Sequence, residues 1–309
     1  MNIKQLINGN IALAPMAGYT DVGFRVLCLR YGASFAVTEM VSAKALTYNN
    51  HVTFDLLKTS SEEKVRCVQL FGHEPDVMEQ AAKIPQLADF DVIDINMGCP
   101  VPKIFNNGDG CALMQDMKLA SEIIKAVKKS EKFVTVKFRA GVNSSSLIAP
   151  DFAKMCEDSG ADAITIHGRT REQYYSGRAN REIIGKAARS VSIPVFGNGD
   201  VRSKEDLEEY LSLGCFGVAV GRAAEGNPAI FAELSGNPVE VDVYRDICFH
   251  IEQLSYLPER VIVNEMKKHV AAYLKGRRGH KPVIVQVCRA QSIDEIKDSV
   301  REFLLNDNE

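Results

Sequence analysis

The sequence predicts a (β/α)8 barrel, the TIM-barrel architecture, followed by a small helical domain. Three observations predict it. Eight short apolar runs alternate with helical patterns over residues 1–238. The runs are near-continuously apolar, as in parallel strands buried on both faces. Unusual polar or glycine residues fall at the C-terminal ends of the runs, the rim on which barrel sites are built. A doubly wound open sheet is the alternative, and no Gly-x-Gly-x-x-Gly follows the first run to support it.

In chain order, Ile11 to Ala14 is the first strand, and Thr20 or Asp21 caps the helix that follows. Phe35 to Thr38 and Val65 to Phe71 are the next two strands. Pro75 lies in the first turn of a helix reaching about Ala88. Val92 to Ile95 is the fourth strand and Met117 to Lys129 a helix. Phe133 to Phe138 is the fifth strand, with a helix over Ile148 to Ser159. Ala163 to Ile166 is the sixth, before a helix over Arg181 to Arg189. Ile193 to Phe196 is the seventh, and Ser203 caps a helix to about Leu213. Gly217 to Val220 is the eighth. Beyond Pro238 the alternation stops. Val243 to Gln253, Val261 to Leu274 and Ser292 to Leu305 read as helices at 3.6 period, giving a second domain over residues 239–309.

The chain has 309 residues, 46% hydrophobic and 25% charged, enough for one large packed core. No apolar run approaches the roughly 20 residues of a membrane span, and Met1 to Asn10 lacks a signal-peptide core. A cytoplasmic protein without membrane contact is expected. The 8 cysteines show no Cys-x-x-Cys spacing and no Cys/His cluster, so neither a disulfide framework nor a metal site is expected. Cys28, Cys67 and Cys156 sit within apolar patterns and should be core. Net charge is −3, against general nucleic-acid affinity. Residues 267–281 nevertheless contain basic residues and no acids, with Tyr273 among them. Lys275, Arg277 and Arg278 there form a surface suited to phosphates, although a solvated helix face is the ordinary reading of such a run.

The densest chemistry is Asn96-Met97-Gly98-Cys99-Pro100, with Lys103 after it and Gly108-x-Gly110 beyond. Most free cysteines are small buried hydrophobes. A thiol held on a Gly-Cys-Pro turn at a strand end is also where a proton donor or nucleophile would be placed. Elsewhere on the rim, Gly221-Arg222 after the eighth strand and Gly199 after the seventh mark the usual phosphate position of barrels. Lys137, His167 and Gln69 offer polar contacts for a flat ring, and Pro15-Met16-Ala17 an apolar shelf. Together they describe a phosphorylated planar cofactor. FMN fits, and the residues alone do not separate it from other phosphate ligands.

A family resemblance narrows this. Ala14-Pro15-Met16-Ala17-Gly18, Gln69-Leu70-Phe71-Gly72, Asn96 to Lys103, His167-Gly168-Arg169-Thr170, Gly197-Asn198-Gly199-Asp200 and Gly221-Arg222-Ala223-Ala224 occur in the order of the motifs of the tRNA-dihydrouridine synthases. The sequence resembles these FMN enzymes over nearly the whole barrel, and Met266-Lys267-Lys268-His269 extends the likeness. The resemblance implies reduction of tRNA uridines, with NADPH or NADH restoring the flavin. It implies FMN contacts at Pro15, Met16, Ala17, Gln69, Lys137, His167, Asn198, Gly199, Asp200, Gly221 and Arg222. Cys99 would be the proton donor, and Asn96, Lys103 and Arg169 would meet substrate. A monomer acting on tRNA is expected. The chain departs from the family pattern in having no tryptophan: Val142-Asn143 and Ala271-Ala272 occupy regions where members often carry one. Two other readings compete. One is an FMN-dependent reductase of a free pyrimidine or enone, similar to dihydroorotate dehydrogenase. The other is a non-catalytic RNA binder, against which the intact rim argues.

Overall fold

The structure, a computed structural model, describes residues 2–306. Eight parallel strands close into a barrel in sequence order: β1 (Ile11–Leu13), β2 (Phe35–Ser42), β3 (Arg66–Phe71), β4 (Val92–Met97), β5 (Phe133–Arg139), β6 (Ala163–His167), β7 (Val195–Asn198) and β8 (Gly217–Val220). Closure is made by β1 against β8, with Ile11 opposite Val218 and Leu13 opposite Val220. The predicted (β/α)8 barrel is present, with helices following at the C-terminus. Among the described residues no helix is long and apolar enough to cross a membrane.

Burial explains why the strands read as continuous apolar runs. Ala12, Ala14, Ala163, Phe196 and Ala219 form an inner cluster, and outward residues such as Leu13, Val136, Ile164 and Val218 pack under the helices. Small alanines inside leave room for Phe196, which meets Phe35 edge-on at 5.5 Å. A short helix, Ile3–Ile7, closes the barrel by packing Ile3 and Ile7 on that cluster. Its five residues are too few to show a helical period.

Several boundaries differ from the sequence reading. The helix from Pro75 stops at Ala82, and a separate 3-10 turn, Pro85–Leu87, follows, because Pro85 cannot continue the helix. Strand β7 runs to Asn198 and begins after Pro194, which has no N–H for a ladder; Gly197 and Asn198 pair with Val218 and Ala219. Strand β2 runs on to Ser42 through a register shift between Val37 and Met40. The shift aims Glu39 at the Gly18 amide and Met40 at Asn96.

Among the described residues four helices, not three, follow Pro238: Val243–Gln253, Glu259–Tyr273, His280–Arg289 and Ile293–Asn306. The one not foreseen, His280–Arg289, buries only Val283 and Val287, while Val285 is exposed, so its apolar stripe is too narrow to read. The four share an apolar cluster with Val22, Val26 and Leu27 of the helix Val22–Arg30, which follows β1. Gly226 permits the closest approach. Its φ is +72°, and a Cβ there would lie 2.2 Å from the Ala272 carbonyl oxygen.

One buried ion pair ties the outer layer together. Arg25 and Glu63 are almost fully buried, with Nε 2.7 Å from Oε1. The remaining Arg25 donors reach the Thr20 and Lys58 carbonyls, and Glu63 also accepts from Ser60 N–H. Truncating one partner strands a buried charge. Arg25→Ala should therefore destabilise the fold by about 3–5 kcal/mol, read as a lower midpoint in urea unfolding; an unchanged midpoint would mean that Glu63 finds solvent.

Candidate active site

The turn after β4 is set by hydrogen bonds that begin deep in the barrel. Thr135 Oγ1 donates to Asp94 Oδ1 at 2.6 Å, and Gln69 Nε2 donates to Asp94 Oδ2 at 2.6 Å. Gln69 Oε1 then accepts from Asn96 Nδ2 at 2.8 Å. Asn96 Oδ1 in turn accepts from the amides of Gly98 and Cys99, at 3.1 and 2.9 Å. The backbone at Cys99 is thus fixed by a relay across three strands. Gly98 is needed because a Cβ would meet Phe138 Cα at 3.2 Å and the Lys137 carbonyl at 3.3 Å. Gly110, at φ +60°, lies where a Cβ would meet Cys99 Cβ at 2.9 Å. The loop closes there by donating Cys111 N–H to the Cys99 carbonyl at 3.1 Å.

Cys99 is 8% exposed. Burial raises its pKa, while the Val101 amide and the charges of Arg139 and Lys137 pull the other way. Burial wins, so the group stays a thiol at neutral pH. Lys103 is exposed on the short helix Pro102–Asn106.

The other half of the mouth is cationic. Lys137, Arg139, Arg169 and Arg222 surround His167, and these charges add to burial in holding the imidazole pKa well below its usual value. His167 is therefore neutral at physiological pH. Burial and Arg139 lower the Lys137 pKa to about 8. Arg139 clamps the site, donating to the carbonyls of Gly98, Thr170 and Tyr174 at 2.8–2.9 Å. Arg169 is buried and donates to Asp200 Oδ1 at 2.9 Å and to the Ser176 and Gly177 carbonyls, leaving Nη1 buried with no hydrogen-bond partner among the described residues. Tyr175 is exposed, with the Arg222 guanidinium 4.7 Å from its ring centroid and that of Arg139 at 5.8 Å. Arg169, Tyr175, Arg222 and Asp200 line a cleft of about 770 Å³ together with Arg178 and Arg202.

The barrel gathers most of the residues singled out from sequence. Pro15 and Met16 are half-buried and Ala17 exposed on the loop after β1, where Thr20 Oγ1 accepts from Met16 N–H. Met16 Sδ lies 3.8 Å from where a Cβ on Gly221 would be, so barrel closure joins the apolar shelf to the Gly221-Arg222 turn. Asn198 donates to the Ala219 carbonyl at 2.7 Å. Gly199, at φ +117°, leaves no space for a Cβ against His167 and Ala179. Asp200 accepts from Ala179 N–H and Arg169. Gln69 is almost fully buried and commits both ends of its amide to Asp94 and Asn96. Lys275 and Arg278 are exposed and Arg277 half-buried, in the turn after Tyr273. The helix carrying Lys268 lies against the shelf, with Lys268 Nζ 3.6 Å from the Gly18 Cβ position.

Sequence reading missed Asp94, Thr135, Arg139 and Tyr175. Arg139 follows Lys137 on the same strand face, and that i, i+2 spacing was an available signal. Tyr175 stands in a Tyr-Tyr pair within an irregular loop, and Asp94 reads as a strand interruption; nothing local marks either.

Comparison with known proteins places the chain. The family model described as dihydrouridine synthase (Dus) matches residues 12–304. The tRNA-dihydrouridine synthase B of Pseudomonas putida is 38% identical over 287 residues, which span 89% of this chain and 85% of that one. A probable tRNA-dihydrouridine synthase of Rickettsia bellii is 40% identical, covering 96% of this chain and 95% of its own. A probable tRNA-dihydrouridine synthase of Treponema pallidum is 34% identical, covering 96% and 93%. The chain belongs to the dihydrouridine synthase family.

The raised Cys99 pKa has a direct readout. Alkylation of Cys99 by iodoacetamide should be slow at pH 7 and climb about tenfold per pH unit, with no levelling at the ordinary cysteine pKa of about 8.5. Peptide mapping that finds Cys99 labelled fastest of the eight cysteines at pH 7 would show a thiolate instead.

Proposed function

We propose that this chain reduces specific uridines of tRNA to 5,6-dihydrouridine, with FMN held across the barrel mouth and restored by NADPH or NADH. The observation that carries the reading is the pairing of two unlike halves. A buried, protonated thiol stands on one side, and four cations surround a neutral imidazole on the other. The residues fit FMN on grounds of their own. Arg169 Nη1 is a buried donor without a partner, the Arg222 side of the cleft suits a phosphate, and Pro15–Met16 offers an apolar wall. Lys137, His167, Asn198, Gly199, Asp200, Gly221 and Arg222 would hold the cofactor, with Ala17 at the edge of the shelf. Gln69 would act from beneath, through Asn96.

Lys137, His167 and Arg222 would hold FMN, which in its reduced form would supply the hydride for C6 of the uracil. The protein supplies the rest. Cys99 gives its Sγ proton to C5 as general acid, which a thiol can do and a thiolate cannot. Asn96 fixes the Cys99 turn and so the direction of that proton. Arg139 braces the same turn from β5. Tyr175, resting over Arg222 and Arg139, offers a ring face to a base that has left its stack. Lys103 and Arg169 would meet the substrate, with Arg169 shaping the cleft wall. The barrel over residues 1–238 would carry the chemistry. The helices over 239–309 would dock RNA through Lys275, Arg277 and Arg278.

Dihydrouridine measured by mass spectrometry, after incubating flavin-loaded protein with NADPH and unmodified tRNA transcripts, tests the reading. Its appearance at a defined position supports the proposal. Its absence, with flavin still reduced by NADPH, sinks the tRNA reading and favours a small-molecule reductase. Cys99→Ala should retain the flavin absorbance and lose turnover by about 10²–10⁴-fold; undiminished turnover would remove Cys99 as the acid. Replacing Lys275, Arg277 and Arg278 together should weaken tRNA binding and lower the slope of log affinity against log salt by up to about 3.

A further inference from the structure

Away from the barrel mouth, three ionisable side chains from three elements converge. Asp21 follows β1 and caps the helix Val22–Arg30, its Oδ1 accepting from Phe24 N–H at 3.0 Å. His250 comes from the helix Val243–Gln253 and His269 from the helix Glu259–Tyr273. His250 Nε2 lies 2.9 Å from Asp21 Oδ1, and His269 Nε2 lies 2.9 Å from Asp21 Oδ2. One donor atom from each residue falls within 4.8 Å of the others. The imidazole side chains are 0% and 1% exposed and the carboxylate 15%, so one side of the cluster opens to water.

We propose that Asp21, His250 and His269 form a structural site for a divalent transition-metal ion of the zinc class, with water as fourth ligand, pinning the C-terminal helices to the barrel. Two imidazoles and a carboxylate with an open position form a common zinc donor set. Ligand atoms around tetrahedral zinc lie about 3.3 Å apart when bonds are about 2.0 Å, so the two 2.9 Å His–Asp separations would open slightly to admit the ion. The decisive observation is a pair of orphans. His269 Nε2 and Asp21 Oδ2 are both buried and lie 2.9 Å apart as an ion-pair contact, yet they are not aligned as a hydrogen bond, and among the described residues neither has another hydrogen-bond partner. A buried pair of this kind calls for an ion or water between or beside it. On the far nitrogen, His250 Nδ1 is 3.2 Å from the Tyr273 hydroxyl, a partner that would orient the ring and direct Nε2 at a metal.

The surroundings also suit a cation. Glu39 and Asp246 add to the acidic side of the junction, while Lys268 is engaged by Glu265. Room for the cluster is built in, since a Cβ on Gly23 would lie 2.4 Å from His250 Cδ2. The site does not depend on the proposed reaction, and its test leaves that reading untouched.

Tag-free, full-length protein would be stripped with chelator and titrated with Co²⁺ and then Zn²⁺. The expected result is uptake of one equivalent per chain. A Co²⁺ ligand-field band should appear at longer wavelength than flavin absorption, and the melting temperature should rise on metal addition. His250→Gln and His269→Gln should each bind at least about 10-fold more weakly. Asp21→Asn keeps the helix cap and the packing but loses the carboxylate, so it should fold and still lose the band. A stripped wild-type chain that takes up no more Co²⁺ or Zn²⁺ than folded Asp21→Asn would overturn the proposal. The three residues would then be a hydrogen-bonded pin without metal.

Discussion

The site rests on a buried carboxylate. Asp94 lies almost entirely inside the barrel, where burial raises its pKa against the pull of Thr135, Gln69 and Lys137. A buried acceptor must be satisfied, and Asp94 is satisfied only if Gln69 and Thr135 turn their donors inward. That choice orients the Gln69 amide, which orients Asn96, which holds the amides of Gly98 and Cys99. The position of one thiol is therefore coupled to three neighbouring strands. A free loop would not hold it so well, and this is the physical reason for a site at strand ends rather than on longer connections.

Electrostatics divides the mouth into two halves with different demands. Lys137, Arg139, Arg169 and Arg222 would favour thiolate at any exposed cysteine nearby. Burial of Cys99 under the loop closed by Gly110 outweighs them. Burial, reinforced by the same cations, keeps His167 neutral, so the imidazole can both donate and accept instead of adding a further charge. Excess positive charge in a cleft that is half enclosed is costly without an anion. The unpaired Arg169 Nη1 marks where that cost is concentrated.

The C-terminal helices are joined to the barrel at the element that begins the site. Asp21 lies three residues beyond Gly18, and the helix it caps contributes Val22, Val26 and Leu27 to the apolar cluster of the helical segment. The helix Glu259–Tyr273 reaches this region twice: Lys268 Nζ lies 3.6 Å from the Gly18 Cβ position, and His269 Nε2 lies 2.9 Å from Asp21 Oδ2. The turn carrying exposed Lys275 and Arg278 follows directly on that helix.

Periodicity and strand-end chemistry were legible without coordinates. Parallel strands buried on both faces must be continuously apolar, so eight such runs announce a barrel, and the Gly-Cys-Pro turn and Lys137, His167 and Arg222 stand out because strand ends have few other reasons to carry them. Local pattern did not reveal what depends on residues far apart in sequence. Asp94 looked like a flaw in a strand until Thr135 and Gln69 came beside it; Arg139 became a clamp only when Gly98 and Thr170 met it. Val283 and Val287 make too narrow a stripe to declare a helix before the helices Glu259–Tyr273 and Ile293–Asn306 pack beside them. Asp21 is more than two hundred positions from His250 and His269, and the three became a cluster only through packing. Sequence by itself determined which segments must be buried and which groups wait at strand ends, because hydrophobic period and residue chemistry are local. Tertiary structure decided which of those groups are paired, protonated or left without a partner, because hydrogen bonds and desolvation depend on neighbours that only the closed barrel supplies.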